Sequence, residues 1–519
     1  MKKRNFLNSI TRDINLPLLV FLILFLNVKF IFKLLALVLM ILYSRNLKLG
    51  ISWKKSRLPQ FYLAIILIEL VKYILFTRNY TLDYSLVFCL GILQWSISLL
   101  ALHHIKLFIE KDDSGKVHNT IKAFFALNFL VSIFFLLVLL IHPAWLSFWG
   151  QGTNLTFNHP SAGDAILGIS FDASTVNAAI NCLGLIYFLY KREVLFSFLC
   201  AIIIVCCTSN IIFLLTLGML MIMILTVRSK QLRIRTAVMT FTMLVLYIPY
   251  SPKNRTYMRD YLVQLYVVNK ENQPLDTENF HLRSEDSILT FANPDKSSED
   301  SVYSFSDKKL KKAFGSFLSV KNIRQDPVTG YIVIPDALYQ SKPGKFASFI
   351  QTFFYLKHSF KHLLLGSGIG NFSSKLAFRA SGIKILGTYP QKYVYISPDF
   401  RHNHLFTFRY YYEASASEHS VINYPFSFYN QILGEYGLIG ALVFAIFYLG
   451  YFITRYRRLS YGRYLLLVLL GFLLFDYWFE SFTLVILFEL FILLNIKEGR
   501  EPDSSTSAKP KEELEKTAY

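Results

Sequence analysis

Apolar runs joined by short polar connectors fill both ends of the chain, and one long polar stretch, 251–426, divides them. The runs before it cover 16–27, 30–43, 61–77, 84–105, 121–141, 165–190, 193–207, 210–227 and 236–249. Those after it cover 430–453, 464–476 and 480–496. A membrane-crossing α-helix needs about 20 apolar residues, fewer inside a bundle. The pattern therefore predicts twelve spans, the first two either separate or one long helix bent around Asn27 to Lys33.

The polar stretch has its own pattern. Residues 270–312 carry little periodicity and read as loop or partial disorder. A β-branched run lies within PVTGYIVIPDALY, 327–339. Over 346–363, Phe346, Phe349, Ile350, Phe353 and Phe354 recur at helical spacing, flanked by Lys345, Lys357, His358 and Lys361. This predicts an amphipathic helix, lying either in the outer membrane interface or on the loop's own core.

Composition agrees with the pattern. The 519 residues are 54% hydrophobic and only 17% charged, with mean hydropathy +0.40, which a soluble protein of this size would not show. The first run follows MKKR and Arg12, yet no small-residue cleavage site and no polar mature chain succeed it, unlike a cleavable signal peptide. Basic residues give the sidedness. Clusters at Arg45, Lys48, Lys54, Lys55 and Arg57, at Lys191 and Arg192, at Arg228 to Arg235, and at Arg455 to Arg463 all fall on one side, with both termini. The expected fold class is thus an all-α integral membrane protein with about 12 transmembrane helices and one large extracytoplasmic loop. Its parts are a bundle over 1–250, the outer loop 251–426, three further spans in 427–496 and a cytoplasmic tail, 497–519.

Charge and cysteine content narrow the chemistry. Much of the formal charge of +20 is topological. The outer loop holds 22 Lys and Arg against 15 Asp and Glu, which suits an anionic partner or a solvated face. No nucleic-acid recognition motif is present, and that partner is excluded. All five cysteines lie in apolar runs, so no disulfide framework staples the outer loop.

Within that loop, SPDFRHNHLFTF gathers Arg401, His402, Asn403 and His404. They could be an acid–base or substrate-contacting centre, a metal site, or a wet loop. Two histidines fall short of the four ligands of a closed zinc site; His419 could be a third, and no outer cysteine completes the set. Tyr410, Tyr411, Tyr412 and Tyr424 could stack on sugars or anchor at the interface. In LLLGSGIGNF, 363–372, Gly366, Gly368 and Gly370 suit a tight turn with positive φ better than a phosphate cradle, since no Lys-Ser/Thr follows. YPFSFYNQILGEYGLIG, 424–440, places Glu435, Gly437 and Gly440 at the mouth of the next span, where small residues let helices approach. Within the spans, Glu69 and Lys72 share a helix face, Glu489 is the deepest isolated acid, and Asp164, Asp172, Asp476 and Glu480 lie near outer ends.

Taken in order, these features resemble the O-antigen ligase and O-antigen polymerase family of membrane glycosyltransferases. About twelve spans with one large outer loop between the ninth and tenth match it in architecture. LLLGSGIGNF is similar to its glycine turn, and NQILGEYGLIG to its L-x-E-x-G-x-x-G signature. GISFDASTVNAAI, 168–180, and CCTSN, 206–210, are weaker matches. The resemblance implies transfer of a glycan from a polyprenyl-diphosphate-linked oligosaccharide to an acceptor glycan outside a bacterial cytoplasmic (inner) membrane, without metal or other cofactor. Polymerases use another lipid-linked repeat unit as acceptor; ligases use lipid A core. Partners would be the lipid bilayer and other polysaccharide-assembly proteins.

Two positions depart from the family pattern. Its His-Asn, about nine residues before the signature glutamate, is Phe426-Ser427 here, and its Ser-Arg is Ser209-Asn210. The expected catalytic base is then His402, His404 or His419, with His402 preferred because it precedes Asn403. Arg401, Arg409, Arg379 and Asn403 are the expected diphosphate and glycan contacts, since the arginine fork matches phosphate oxygens. A lipid-linked glycan transporter is the competing class, although no internal repeat supports it. A non-catalytic assembly partner is a third, which the lost His-Asn would permit.

Overall fold

The computed structural model describes residues 13–44, 58–76, 81–142, 145, 165–250, 324–325, 332–333, 343–383, 389–413 and 421–500. The basic cluster at 45–57, Asp164, His419 and most of 251–342 lie outside these described residues. An α-helix lies in each of the twelve apolar runs, although in 165–190 it begins only at Ser174. Nine precede the polar stretch: α1 Leu16–Phe25, α2 Phe30–Ser44, α3 Leu58–Phe76, α4 Leu82–Lys111, α5 Ser114–Ile141, α6 Ser174–Lys191, α7 Val194–Cys206, α8 Asn210–Thr226 and α9 Lys230–Tyr250. Among the described residues, four helices are long and apolar enough to cross a membrane alone: Leu58–Leu75, Leu82–Lys111, Ser114–Ile141 and Phe428–Arg458.

Helix starts follow ordinary capping chemistry. Asn15 accepts from the Leu18 amide ahead of Pro17 in α1, Thr81 accepts from Tyr84 in α4, and Asp113 accepts from Gly115 in α5. Helices α1 and α2 are separate and pack on each other, so the single bent helix is not formed. At 10 and 15 residues they are roughly 15 and 22 Å long, short of a bilayer core of about 30 Å.

Two helices form the centre. Every residue of α6 from Val176 to Leu189 is buried, as is every residue from Thr483 to Asn495 in the last helix. Helices apolar on all sides belong inside a larger assembly. The outer helices instead turn large apolar side chains outward: Ile74 is 68% exposed, Leu225 75% and Phe241 68%. Such surface suits a lipid environment and not water. Glu489 is buried inside, where its Oε1 accepts from the Tyr62 hydroxyl at 2.6 Å while its Oε2 has no hydrogen-bond partner among the described residues.

The described part of 251–426 is a small cap of helices: α10 Gly344–His358, α11 Phe360–Leu365, α12 Lys375–Ala380 and α13, 398–413. It rests on α14 Phe428–Val443, which is followed by α15 Gly462–Phe472 and α16 Thr483–Glu498. Of the run at 327–339, Ile332–Val333 forms a two-residue strand paired antiparallel with Arg324–Gln325.

The amphipathic helix predicted over 346–363 is corrected twice. Ser359 adopts extended backbone (φ −142°, ψ 134°) and divides it into α10 and α11. Its faces are also exchanged in part. Ser348, Gln351 and Thr352 are buried, while Phe346 and Phe353 are 42% and 39% exposed. The polar side chains turn inward because the neighbouring cap helix offers them hydrogen bonds.

Candidate functional site

The two glycine motifs, far apart in sequence, form one interlocked joint. Gly366, Gly368 and Gly370 all take positive φ, at 67°, 98° and 72°. The Ser367 amide donates to Gly434 O and the Gly368 amide to Glu435 O, each at 2.9 Å. From the other side, Gly437 leaves helical geometry at φ 65°, ψ −164° and interrupts α14. Each strand of the joint requires the other's glycine. A Cβ on Gly366 would lie 2.5 Å from Glu435 O, and one on Gly437 would lie 2.4 Å from Leu364 O. Gly440 is buried one helical turn further into α14.

Carboxylates fasten the joint to the bundle. Buried Glu435 accepts from the Phe372 and Ser373 amides through Oε1 at 3.4 and 3.2 Å. Glu69 of α3 accepts from the Ile369 amide at 3.0 Å. Lys72 bonds Glu69 at 2.7 Å and Glu435 O at 2.6 Å, so the expected Glu69–Lys72 pairing is formed and extended to α14. Since the amides of 366–369 and 371–373 all donate within the protein, they are not available to cradle a phosphate.

The Arg401–Leu405 segment is a π-helical turn of α13. Its four polar residues separate into two pairs. Arg401 and His402 are exposed, whereas Asn403 and His404 are buried. Asn403 is held within the cap: its side chain donates to Asp399 O at 2.7 Å and its carbonyl accepts from Gln351 at 3.1 Å. His404 Nε2 lies 3.1 Å from Ser348 O, an acceptor only, so Nε2 carries the proton. Nδ1 then accepts from the Ser373 hydroxyl at 2.7 Å, and Ser373 in turn pairs with Tyr477 at 2.8 Å. Burial pushes the His404 pKa down to about 3, with the Ser348 hydrogen bond opposing, so the ring is neutral at ordinary pH. His404 thus ties α10, the glycine turn and α13 together, and Ser373 connects it to Glu435.

The place of the family's His-Asn is used for packing. Phe426 stacks among Phe378, Phe408, Tyr424 and Tyr477. Ser427 caps α14 by accepting from the Tyr429 amide at 3.2 Å. Lys345 Nζ donates to Phe426 O. Similarly, Asn210 accepts from the Tyr247 hydroxyl at 2.8 Å.

Of the expected diphosphate contacts, Arg379 joins a charged cluster, while Arg401 and half-buried Arg409 lie on α13. Arg379 and Lys375 occupy successive turns of α12, and Lys375 bonds Ser481 at 3.2 Å. Glu480 accepts from the Leu376 amide at 2.9 Å and from Gln431 at 2.6 Å. Lys33 of α2, held by Phe25 O at 2.8 Å, interacts electrostatically with Asp172, Lys375 and Arg379. Asp476 interacts with the same Asp172 and Lys375. Asp172, Asp476 and Glu480, dispersed in sequence, are thereby collected beside three cations.

Sequence reasoning missed Lys33, Lys375, His362 and Asp399. The i, i+4 spacing of Lys375 and Arg379 was the available signal; His362 and Asp399 gave none, being lone polar residues in different segments. Among the described residues, no group of three or more His, Cys, Asp or Glu side chains is arranged to hold a metal ion. No known protein family, curated protein or solved structure matches this chain.

Proposed function

We propose that this chain is a membrane glycosyltransferase that moves a glycan from a polyprenyl diphosphate to a sugar hydroxyl on the extracytoplasmic side. In this reading the twelve helices are all spans of a bacterial inner membrane, both termini are cytoplasmic, and the cap is extracytoplasmic. The observation that carries it is the joint itself. The two motifs that resemble the family's signatures meet as one unit, which fixes the cap to α3 and α14.

The chemistry requires cations for the leaving diphosphate, because charge develops on its oxygens as the glycosidic bond breaks. In this reading those cations are Lys375, Arg379 and Lys33, which interacts electrostatically with both. A diphosphate leaves without a nucleotide, so the reaction suits a compartment where nucleotides are scarce. Polymerisation of repeat units is the primary form of the proposal, and ligation to lipid A core differs only in the acceptor.

The test is Lys375→Met with Arg379→Met, matched for protein level, in cells deleted for their own copy. Glycan chain length and glycan attachment are measured separately. Single repeat units still attached indicate a lost polymerase; long chains left unattached indicate a lost ligase. Unchanged glycans in the double variant would defeat the proposal.

A further inference from the structure

A small, partly open pocket lies where α3, α4, α11 and α13 meet the glycine turn. Its lining includes Lys72, Tyr84, Lys361, His362, Ser367 and Asp399. The chemistry of these groups selects a ligand class. The turn's amides are consumed by the joint, and Lys72 is neutralised by Glu69. One ammonium, Lys361, and one carboxylate, Asp399, then balance, which gives a multiply charged anion little to hold it. Hydroxyls, an imidazole and a carboxylate together match a ligand that both donates and accepts hydrogen bonds at many points, which is a sugar.

His362 is held in a particular setting there. Its ring stacks on Tyr355 with centroids 4.5 Å apart and 12° between planes. The Tyr355 hydroxyl donates to Asp399 at 3.0 Å, so one tyrosine orients both the imidazole and the carboxylate. His362 Nδ1 is buried without a hydrogen-bond partner, which leaves Nε2 as the nitrogen with access to the pocket. Burial lowers the imidazole pKa, with Asp399 opposing and His358, Lys361 and Lys72 adding to the shift. The neutral ring can accept a proton.

Resting on the glycan-transfer reading, we infer that this pocket binds the acceptor sugar and that His362 is the general base. In the step, the acceptor hydroxyl gives its proton to the imidazole while its oxygen bonds the donor's anomeric carbon. The bond from that carbon to the diphosphate breaks, and its electron pair leaves on the diphosphate oxygen. Asp399 then faces an imidazolium and stabilises it.

The test uses membranes carrying the full chain and the cell's own lipid-linked repeat units, with incorporation of a radiolabelled sugar into long chains as the readout. General-base loss costs about 10²- to 10⁴-fold. His362→Gly is expected to fall by at least about 100-fold, and added imidazole to restore part of that loss. His362→Gln, which keeps a polar side chain, is expected to fall equally. Wild-type activity should rise with pH through a midpoint below 6.5, and Asp399→Asn should move that midpoint lower. Wild-type rates in both His362 variants, or a loss that imidazole leaves unchanged, would overturn the assignment. If His362 variants are active while the Lys375→Met, Arg379→Met pair is dead, this inference fails and glycan transfer stands. If neither set alters any glycan, the transfer reading itself falls.

Discussion

Replacing Gly437 by alanine attacks the joint at its least tolerant point. The residue sits at φ 65°, ψ −164°, a region open almost only to glycine. Forcing a side chain to stay there costs about 1–3 kcal/mol. The new Cβ would also lie 2.4 Å from Leu364 O and 2.7 Å from Gly366 N, both backbone atoms that cannot rotate away. Overpacking of this kind adds about 1–3 kcal/mol. The expected loss is therefore about 2–6 kcal/mol, a large part of the 5–15 kcal/mol typical of a folded domain. The assay is the apparent melting temperature of detergent-solubilised protein, followed by loss of monodisperse material on heating. Gly218→Ala is the internal control. Gly218 lies inside α8 with nothing within 4 Å of the added Cβ, so it should gain roughly 0.5–1 kcal/mol. Equal melting temperatures for Gly437→Ala and wild type, or equal losses in both variants, would refute the claim that backbone contact at the joint governs stability.

Two further outcomes follow from groups around the joint. Lys72→Met strands Glu69 as an uncompensated buried charge and should cost about 3–5 kcal/mol. Adding Glu69→Gln should recover part of it, and a double variant as unstable as the single would count against the pair. For His404, the folded pKa of about 3 lies below the usual 6.5, so the unfolded chain takes the proton first as pH falls. Its contribution is complete above about pH 6.5 and declines toward pH 3, with a slope approaching about 1.4 kcal/mol per unit. His404→Gln should flatten that decline in chemical or thermal unfolding, and parallel curves for the two proteins would exclude it.

The helices were legible because an apolar run leaves the chain few alternatives: Leu16–Phe25 and Asn210–Thr226 need no distant partner to be read. Positive φ in the 366–370 turn was legible for a similar local reason, since only glycine relieves the backbone there. The joint was not. Gly366 and Gly437 each look like an ordinary turn or helix-packing residue until the other strand is in place. The orientation of α10 was also hidden. Hydrophobic spacing grouped Phe353 with Ile350 and Phe354, yet Thr352 bonds Asn430 at 2.9 Å and Gln351 bonds the Asn403 carbonyl at 3.1 Å, so polar satisfaction draws these two beside Ile350 and Phe354 into the buried face and leaves Phe353 out. For the site, residue type alone could propose His402, His404 and Arg379 but could not say which were enclosed. His404 is buried and His402 exposed because residues two apart point to nearly opposite sides of a helix, and the sequence does not show which side is packed.

The joint also imposes an order on biosynthesis. Gly366 emerges from the ribosome 71 residues ahead of Gly437, a difference read directly from their positions. At about 5–20 residues per second, that interval lasts roughly 4–14 s. During it the helix that supplies Gly434 O and Glu435 O to the glycine turn does not yet exist. Glu69, synthesised long before, is already available to accept from the Ile369 amide. The cap therefore completes its fold late, as a clasp closed by the arrival of α14. A nascent chain halted before residue 434 should leave the 366–372 turn open to proteases that cannot cut it in the finished protein.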